Sequence, residues 1–548
     1  MNLTRITAAV SAAALAAVLT GCGSDAITTA SSASSSSTTT TSSATATPGA
    51  GVDAVLAENQ ESHASAEDLE FSASDVVDVT LSGSTATASG DGVDVDGATV
   101  TVTAPGTYRL SGELAGQVLV DSAADGVVRI VLDNAAITSS TTSALAVSAA
   151  DEAVIVLADG TTNSLTDGSS YGDGEGEANA ALYSAADLTI AGDGALTVKG
   201  NSNDGIGGQD GLVITSGRVT VNAVDDGIRG KDYVRVQGGT LAITAGGDAL
   251  KSDNVEEPDR GYVAVLGGSI DATAGDDGIS AASDAVVGGG SLTIAAEGDG
   301  IHGDVSATIG GGDTTVTKSG EGLESRIVTI AGGTLDITSS DDAVNVSDGS
   351  GSSGGPGGGA PGAAPGADSA ASGASGLILT INGGTTTLSS EGDGLDSNGD
   401  LAMTGGIVVV SGPTTNGNGA ADVDGSYLVS GGTLLTAGSS GMAIAPDAES
   451  EQGWVSATFD SAYAAGTVVQ IASGDEVVAT WTADKEFSSV IFSSEAITTG
   501  ETYTVLTGGT AGGTTVGGLA LGGSSSAATE LGTVTAGQHS GGRGGGRP

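Results

Sequence analysis

The chain has 548 residues, with 67 Asp and Glu against 15 Lys and Arg, a formal net charge of −52, 94 glycines and only 3% aromatic residues. Such a surface repels polyanions, which argues against a nucleic-acid partner, and a single cysteine excludes a disulfide scaffold. Glycine without a three-residue period excludes collagen, and 38% hydrophobic content in regular alternation is more than a solvated coil carries.

Residues 1–22 read as an export signal, running from Arg5 through an Ala-rich apolar stretch to Leu19-Thr20-Gly21-Cys22. That ending resembles a bacterial lipobox, which implies lipidation at Cys22 and a chain held by its lipid anchor on the extracellular face of the cell membrane. Residues 23–66 are rich in Ser, Thr and Ala and lack apolar spacing, so a flexible linker is expected there.

Residues 67–453 read as one domain, and much of it repeats itself. An acidic–small–aliphatic triplet recurs at Asp204-Gly205-Ile206, Asp226-Gly227-Ile228, Asp248-Ala249-Leu250, Asp277-Gly278-Ile279 and Asp299-Gly300-Ile301. It continues at Glu321-Gly322-Leu323, Asp342-Ala343-Val344 and Asp393-Gly394-Leu395. The usual spacing is about 22 residues, in the range of stacked structural repeats. An extra polar loop around Asn254–Pro258 lengthens one interval, and a Gly/Pro-rich insert at 348–376 lengthens another. A second marker keeps the same phase: Gly238-Gly239-Thr240-Leu241, Gly267-Gly268-Ser269-Ile270 and Gly289-Gly290-Ser291-Leu292 each open a segment in which apolar and polar residues alternate. Alternation bounded by Gly turns is the strand signature. Short strands repeated with this period close no core alone and must stack on their neighbours. An all-β parallel β-helix of about 22 residues per coil follows, its narrow bore filled by small aliphatics, which accounts for the scarcity of rings. After Trp454 the period fades, and residues 454–510 read as a small C-terminal β cap. Residues 511–548 turn Gly/Ser-rich again and are expected to be disordered.

Several ordered motifs resemble a known family. They are Gly106-Thr107-Tyr108, Gly160-Thr161-Thr162-Asn163-Ser164-Leu165-Thr166-Asp167-Gly168, Asn203-Asp204-Gly205-Ile206, Asp225-Asp226-Gly227-Ile228-Arg229-Gly230-Lys231-Asp232 and the closing Phe487–Ser494 and Gly500–Val505 segments. Together they are similar to the β-helical carbohydrate-binding domain family of bacterial surface lipoproteins, over roughly residues 70–510. The resemblance implies a right-handed β-helix, bound Ca²⁺, affinity for plant-type polysaccharides (cellulose or pectin-like) and fold similarity to family 9 pectate lyases.

Stacking at ~4.8 Å turns the triplet acids into a ladder along one edge. Two carboxylates at that spacing repel by ~3.5 kcal/mol at an effective dielectric of 20. Ca²⁺, which takes six to eight oxygens, would relieve that repulsion. Asp204, Asp225 and Asp226 are the first candidate ligands, with Asp248, Asp277 and Asp299 next. The plainer reading is turn chemistry, in which Asp bonds local amides and Gly takes φ > 0. His63, His302 and His539 are scattered, which speaks against a transition-metal site. Non-catalytic polysaccharide binding is the leading expectation. A calcium-dependent pectate lyase with Lys251, or secondly Lys231, as base is the enzymatic alternative, and a structural adhesin is the third.

Overall fold

The computed structural model describes residues 46–170, 178–348 and 376–539. Among these, 40 strands join in one sheet whose pairings are mostly parallel, and no helix is long and apolar enough to cross a membrane. The export signal, Cys22, residues 23–45 and nearly all of the 348–376 insert lie outside the described residues.

Three parallel ladders run through the repeat. Ile228–Gly230 pairs with Leu250–Ser252, Tyr233–Val236 with Tyr262–Val265, and Thr240–Ala245 with Ser269–Ala274. Each strand therefore bonds to the strand one repeat further on, a register compatible with a β-helix. Parallel pairing begins at Val76–Gly83, which pairs with Gly106–Leu114. The extra residues of the long interval leave the register intact because they loop out and are pinned there. Asn254 Nδ2 donates to Asp232 Oδ1 (2.7 Å), and Arg260 pairs with Asp232 (2.6 Å) and Glu257 (2.9 Å).

The triplet aliphatics form the inner row. Ile206, Ile228, Leu250, Ile279, Ile301, Leu323 and Val344 are successive register partners, each 0–1% exposed. Each such side chain contributes roughly 1.5–3 kcal/mol by leaving water. The double-Gly turns need glycine for two reasons: Gly268 has φ +87°, and a Cβ there would sit 2.8 Å from the carbonyl oxygen of Gly239 on the previous rung.

At the C-terminal side, Phe487–Ser493 pairs antiparallel with the last parallel rung, Thr433–Gly438, and so covers its edge. A separate five-stranded antiparallel sheet follows, in the order Leu519–Leu521, Glu476–Thr482, Val468–Ser473, Thr502–Thr507 and Thr529–Thr535.

Two expectations are corrected. The stretch expected to be disordered from 511 onward is ordered through residue 539 and supplies two strands of that sheet, with Leu519, Ala520, Val534 and Ala536 buried. Its few apolar residues suffice because a preformed sheet edge receives them. Likewise residues 46–66, expected to belong to a flexible linker, pack on the parallel sheet. Val52–Leu56 forms a short helix whose Val55 joins Tyr233, Tyr262, Ala264 and Val286 in an apolar cluster. Asn59 Nδ2 donates to buried Asp284 (2.7 Å), the Tyr262 hydroxyl donates to the Gln60 carbonyl (2.8 Å), and the His63 amide donates to the Tyr233 hydroxyl (3.0 Å). The outward rings of Tyr233 and Tyr262, stacked 5.2 Å apart, give this arm its footing.

Candidate metal centre

Asp204 opens its inner strand and Asp226, Asp248, Asp277 and Asp299 stand two residues before theirs, and one oxygen of Asp204, Asp226, Asp248 and Asp277 is committed to the fold. Asp226 N–H donates to Asp204 Oδ1 (3.3 Å), Asp248 N–H to Asp226 Oδ1 (2.9 Å), Asp277 N–H to Asp248 Oδ1 (2.9 Å) and Asp299 N–H to Asp277 Oδ1 (2.7 Å). The carboxylates thus cap amides of the following rung rather than of their own turn. Their spacing is a consequence of the register, and the stack carries a dense row of charge with it.

Burial makes that charge costly. Asp204 is 1% exposed, and burial, with Asp226 beside it, pushes its carboxyl up to about 7. Burial raises Asp226 as well. Further along, burial pushes Asp277 and Asp342 up to about 7 and Glu321 to about 8. A desolvated carboxylate favours its neutral form unless a cation stands close.

The second oxygens face a row of residues three positions after each triplet acid: Gly207, Arg229, Lys251, Ser280, His302 and Glu324, successive partners in the register. Arg229 lies 3.8 Å from Asp204 Oδ2 but is anchored on Asp253 at 2.5 Å. Lys251 reaches Asp226 Oδ2 (3.2 Å) and Asp248 Oδ2 (2.7 Å). Burial opposes its charge, but these two carboxylates outweigh burial and hold the Lys251 pKa above its ordinary value. Lys231 stands apart, half-exposed, with Glu256 3.9 Å away.

Of the six aspartates expected from sequence, Asp204, Asp225 and Asp226 come together, with one oxygen from each inside a 4.8 Å cluster. Asp248 and Asp277 form a second cluster with Asp276. Asp299 joins neither, and converges with His302 and Glu324 instead. The three histidines do lie apart from one another, but His302 stands among acids. His302 and Glu324 stand one full period apart in the sequence, and the register makes them neighbours, a signal that linear spacing hides.

The first cluster fits a hard cation. Its donors are all oxygens, and the neighbouring Asn179 Oδ1 is buried without a hydrogen-bond partner while Asn179 Nδ2 donates to Asp204 Oδ2 (3.2 Å). Gly207 stands where the next rungs carry Arg229 and Lys251. A Cβ at Gly207 would lie 2.9 Å from the Ala180 Cβ and 3.6 Å from both Asn179 Oδ1 and Asp204 Oδ2, so close packing excludes a side chain here and no basic group from this rung stands against these two oxygens.

Comparison with known proteins follows the repeat. The family model of carbohydrate-binding domain-containing proteins matches residues 96–356. A curated carbohydrate-binding domain-containing protein of Acetivibrio thermocellus is 49% identical over 166 residues, 30% of this chain and 58% of the relative's length. A solved structure of a polysaccharide lyase-like protein from C. thermocellum is 31% identical and superposes with a TM-score of 0.37, covering 50% of this chain and 97% of its own. Over residues 96–356, this chain belongs to the family of carbohydrate-binding domain-containing proteins.

Proposed function

We propose that this chain is a lipid-anchored, cell-surface protein that binds Ca²⁺ and holds a polysaccharide without cleaving it. The right-handed parallel β-helix is our reading of the three parallel ladders. The observation that carries the metal reading is the convergence of Asp204, Asp225 and Asp226, with the orphan oxygen of Asn179 beside Asp204. Asp204, Asp225 and Asp226 would hold the ion, with Asp248 and Asp277, beside Asp276, as the further candidates of the ladder. Bound there, Ca²⁺ supplies a hard positive charge that accepts oxygen ligands from an acidic glycan. The fixed Oδ1 contacts to the next rung keep the Asp204 and Asp226 side chains in place, so little rotamer freedom is lost on binding.

Binding is favoured over lyase chemistry by the state of Lys251. A general base needs a free, unprotonated amine near the operating pH. Lys251 is clamped between two nearly buried carboxylates that hold its proton on. Lys231 faces Glu256 rather than the aspartate cluster. A polymer of the cellulose or pectin type is the expected ligand, and an acidic one would be held through the bound Ca²⁺ against the repulsion of the acidic surface around it. Titration calorimetry against polygalacturonate and an uncharged glucan, with and without chelator, tests this reading. Calcium-dependent heat with the acidic polymer supports it, and no heat with any polysaccharide removes it.

A further inference from the structure

We propose that Asp299, His302 and Glu324 form a second and chemically distinct cation site, one that takes a borderline dication such as Zn²⁺. The three residues lie on two adjacent rungs. His302 Nδ1 faces Glu324 Oε2 at 2.9 Å and Asp299 Oδ2 at 3.5 Å. A tetrahedral Zn²⁺ with bonds of about 2.0–2.1 Å has ligand–ligand edges of about 3.3 Å. These separations straddle that value, so small shifts admit the ion.

Each ligand is also oriented by a contact outside the trio. Asp299 Oδ1 accepts from Glu321 N–H (3.3 Å), Glu324 Oε1 accepts from the Ser347 hydroxyl (2.8 Å), and His302 Nε2 bonds Asp304 Oδ1 (3.0 Å). That leaves one oxygen of each carboxylate and Nδ1 of the ring turned toward one another. A carboxylate on the far nitrogen of a histidine is the usual outer support of a metal-bound imidazole.

An independent observation lies on the next rung. Asn345, the register partner of Glu324, is 8% exposed, and its Oδ1 has no hydrogen-bond partner while its Nδ2 donates to Glu321 Oε2 (2.8 Å). A buried amide oxygen left unsatisfied costs about 1–3 kcal/mol, and this one belongs to the residue that follows the ligand Glu324 in the register. The donor types separate this site from the Asp204 cluster. An imidazole nitrogen with two carboxylates suits Zn²⁺, whereas Ca²⁺ prefers oxygen throughout. The His302 side chain is 25% exposed, which gives an ion and its waters a way in.

The test uses the untagged full chain. Co²⁺ binding is followed by visible absorption, and Zn²⁺ displaces it in calorimetry. We expect about one equivalent bound at micromolar concentration. His302→Gln and, as a second variant, Glu324→Gln should each weaken binding by at least roughly tenfold, with thermal melting of each variant confirming the fold. The pair Asp204→Asn with Asp226→Asn should leave this Co²⁺ spectrum unchanged, so failure here and failure of the calcium reading are told apart. No Zn²⁺ or Co²⁺ binding by the wild type, or equal binding by folded His302→Gln, overturns the proposal and leaves His302 as an imidazolium paired with its carboxylates.

Discussion

Changing Asp204 and Asp226 together to Asn separates charge from shape. The amide oxygen still accepts the N–H groups of Asp226 and Asp248, at 3.3 and 2.9 Å in the native chain, so the rung-to-rung contacts survive. Arg229 keeps Asp253 at 2.5 Å and Lys251 keeps Asp248 at 2.7 Å, so neither cation is stranded. What disappears is the repulsion among carboxylates whose oxygens lie within 4.8 Å, about 3.5 kcal/mol per pair at an effective dielectric of 20 before screening. Ca²⁺ at a hundredfold its Kd stabilises the native chain by about 2.7 kcal/mol per site, which is about 5 °C of Tm for a domain of a few hundred residues. The two proteins should therefore cross. With chelator, the double variant melts at or above the wild type, and with excess Ca²⁺ the wild type melts higher. Differential scanning calorimetry in the two buffers reads this directly. An equal Ca²⁺-induced shift in both proteins would refute the reasoning and leave these aspartates as caps of the next rung only.

Other consequences follow from the same geometry. Asp342 and Asp396, pushed by burial to about 7 and about 8, have folded pKa values above their unfolded ones. Their contribution is thus full below about pH 4 and is lost as pH rises through 7 to 8. Metal-free protein should unfold at lower urea concentration at pH 8 than at pH 5, and a rise instead would contradict the burial argument. Lys251→Met strands Asp226 and Asp248, each under 5% exposed, and should cost about 3 kcal/mol in chelator, measured by urea unfolding. Polygalacturonate incubated with wild type should give no rise in ultraviolet absorbance, and a rise abolished by Lys251→Met would reinstate the lyase. Val55→Asp, which puts a charge against Tyr233 and Tyr262, should release the 46–66 arm and speed its proteolysis while the parallel sheet stays folded.

The repeat was legible because a stacked sheet writes its register into the spacing. Triplets one period apart became rung partners, and the double-Gly turns fell where positive φ and a facing carbonyl require glycine. The acid clusters at 204–226 and 248–277 were legible for the same reason. Compensation of the charge was less so, since Arg229 and Lys251 act across rungs and their reach depends on side-chain direction. His302 was missed because counting histidines along the chain ignores the period that sets it beside Glu324. The arm at 46–66 and the strands at 519–535 were missed for another reason. Each has too few apolar residues to order itself, and its order is supplied by a receiving surface, Tyr233 and Tyr262 in one case and the antiparallel sheet in the other.

The central claim is tested most directly by a crystal grown with Ca²⁺ and soaked with oligogalacturonate. The account predicts anomalous density for a cation bonded to Asp204, Asp225 and Asp226, with a sugar carboxylate against it. A site without a cation, in which Arg229 and Asn179 alone face Asp204 Oδ2 and the sugar lies elsewhere or is absent, would contradict it.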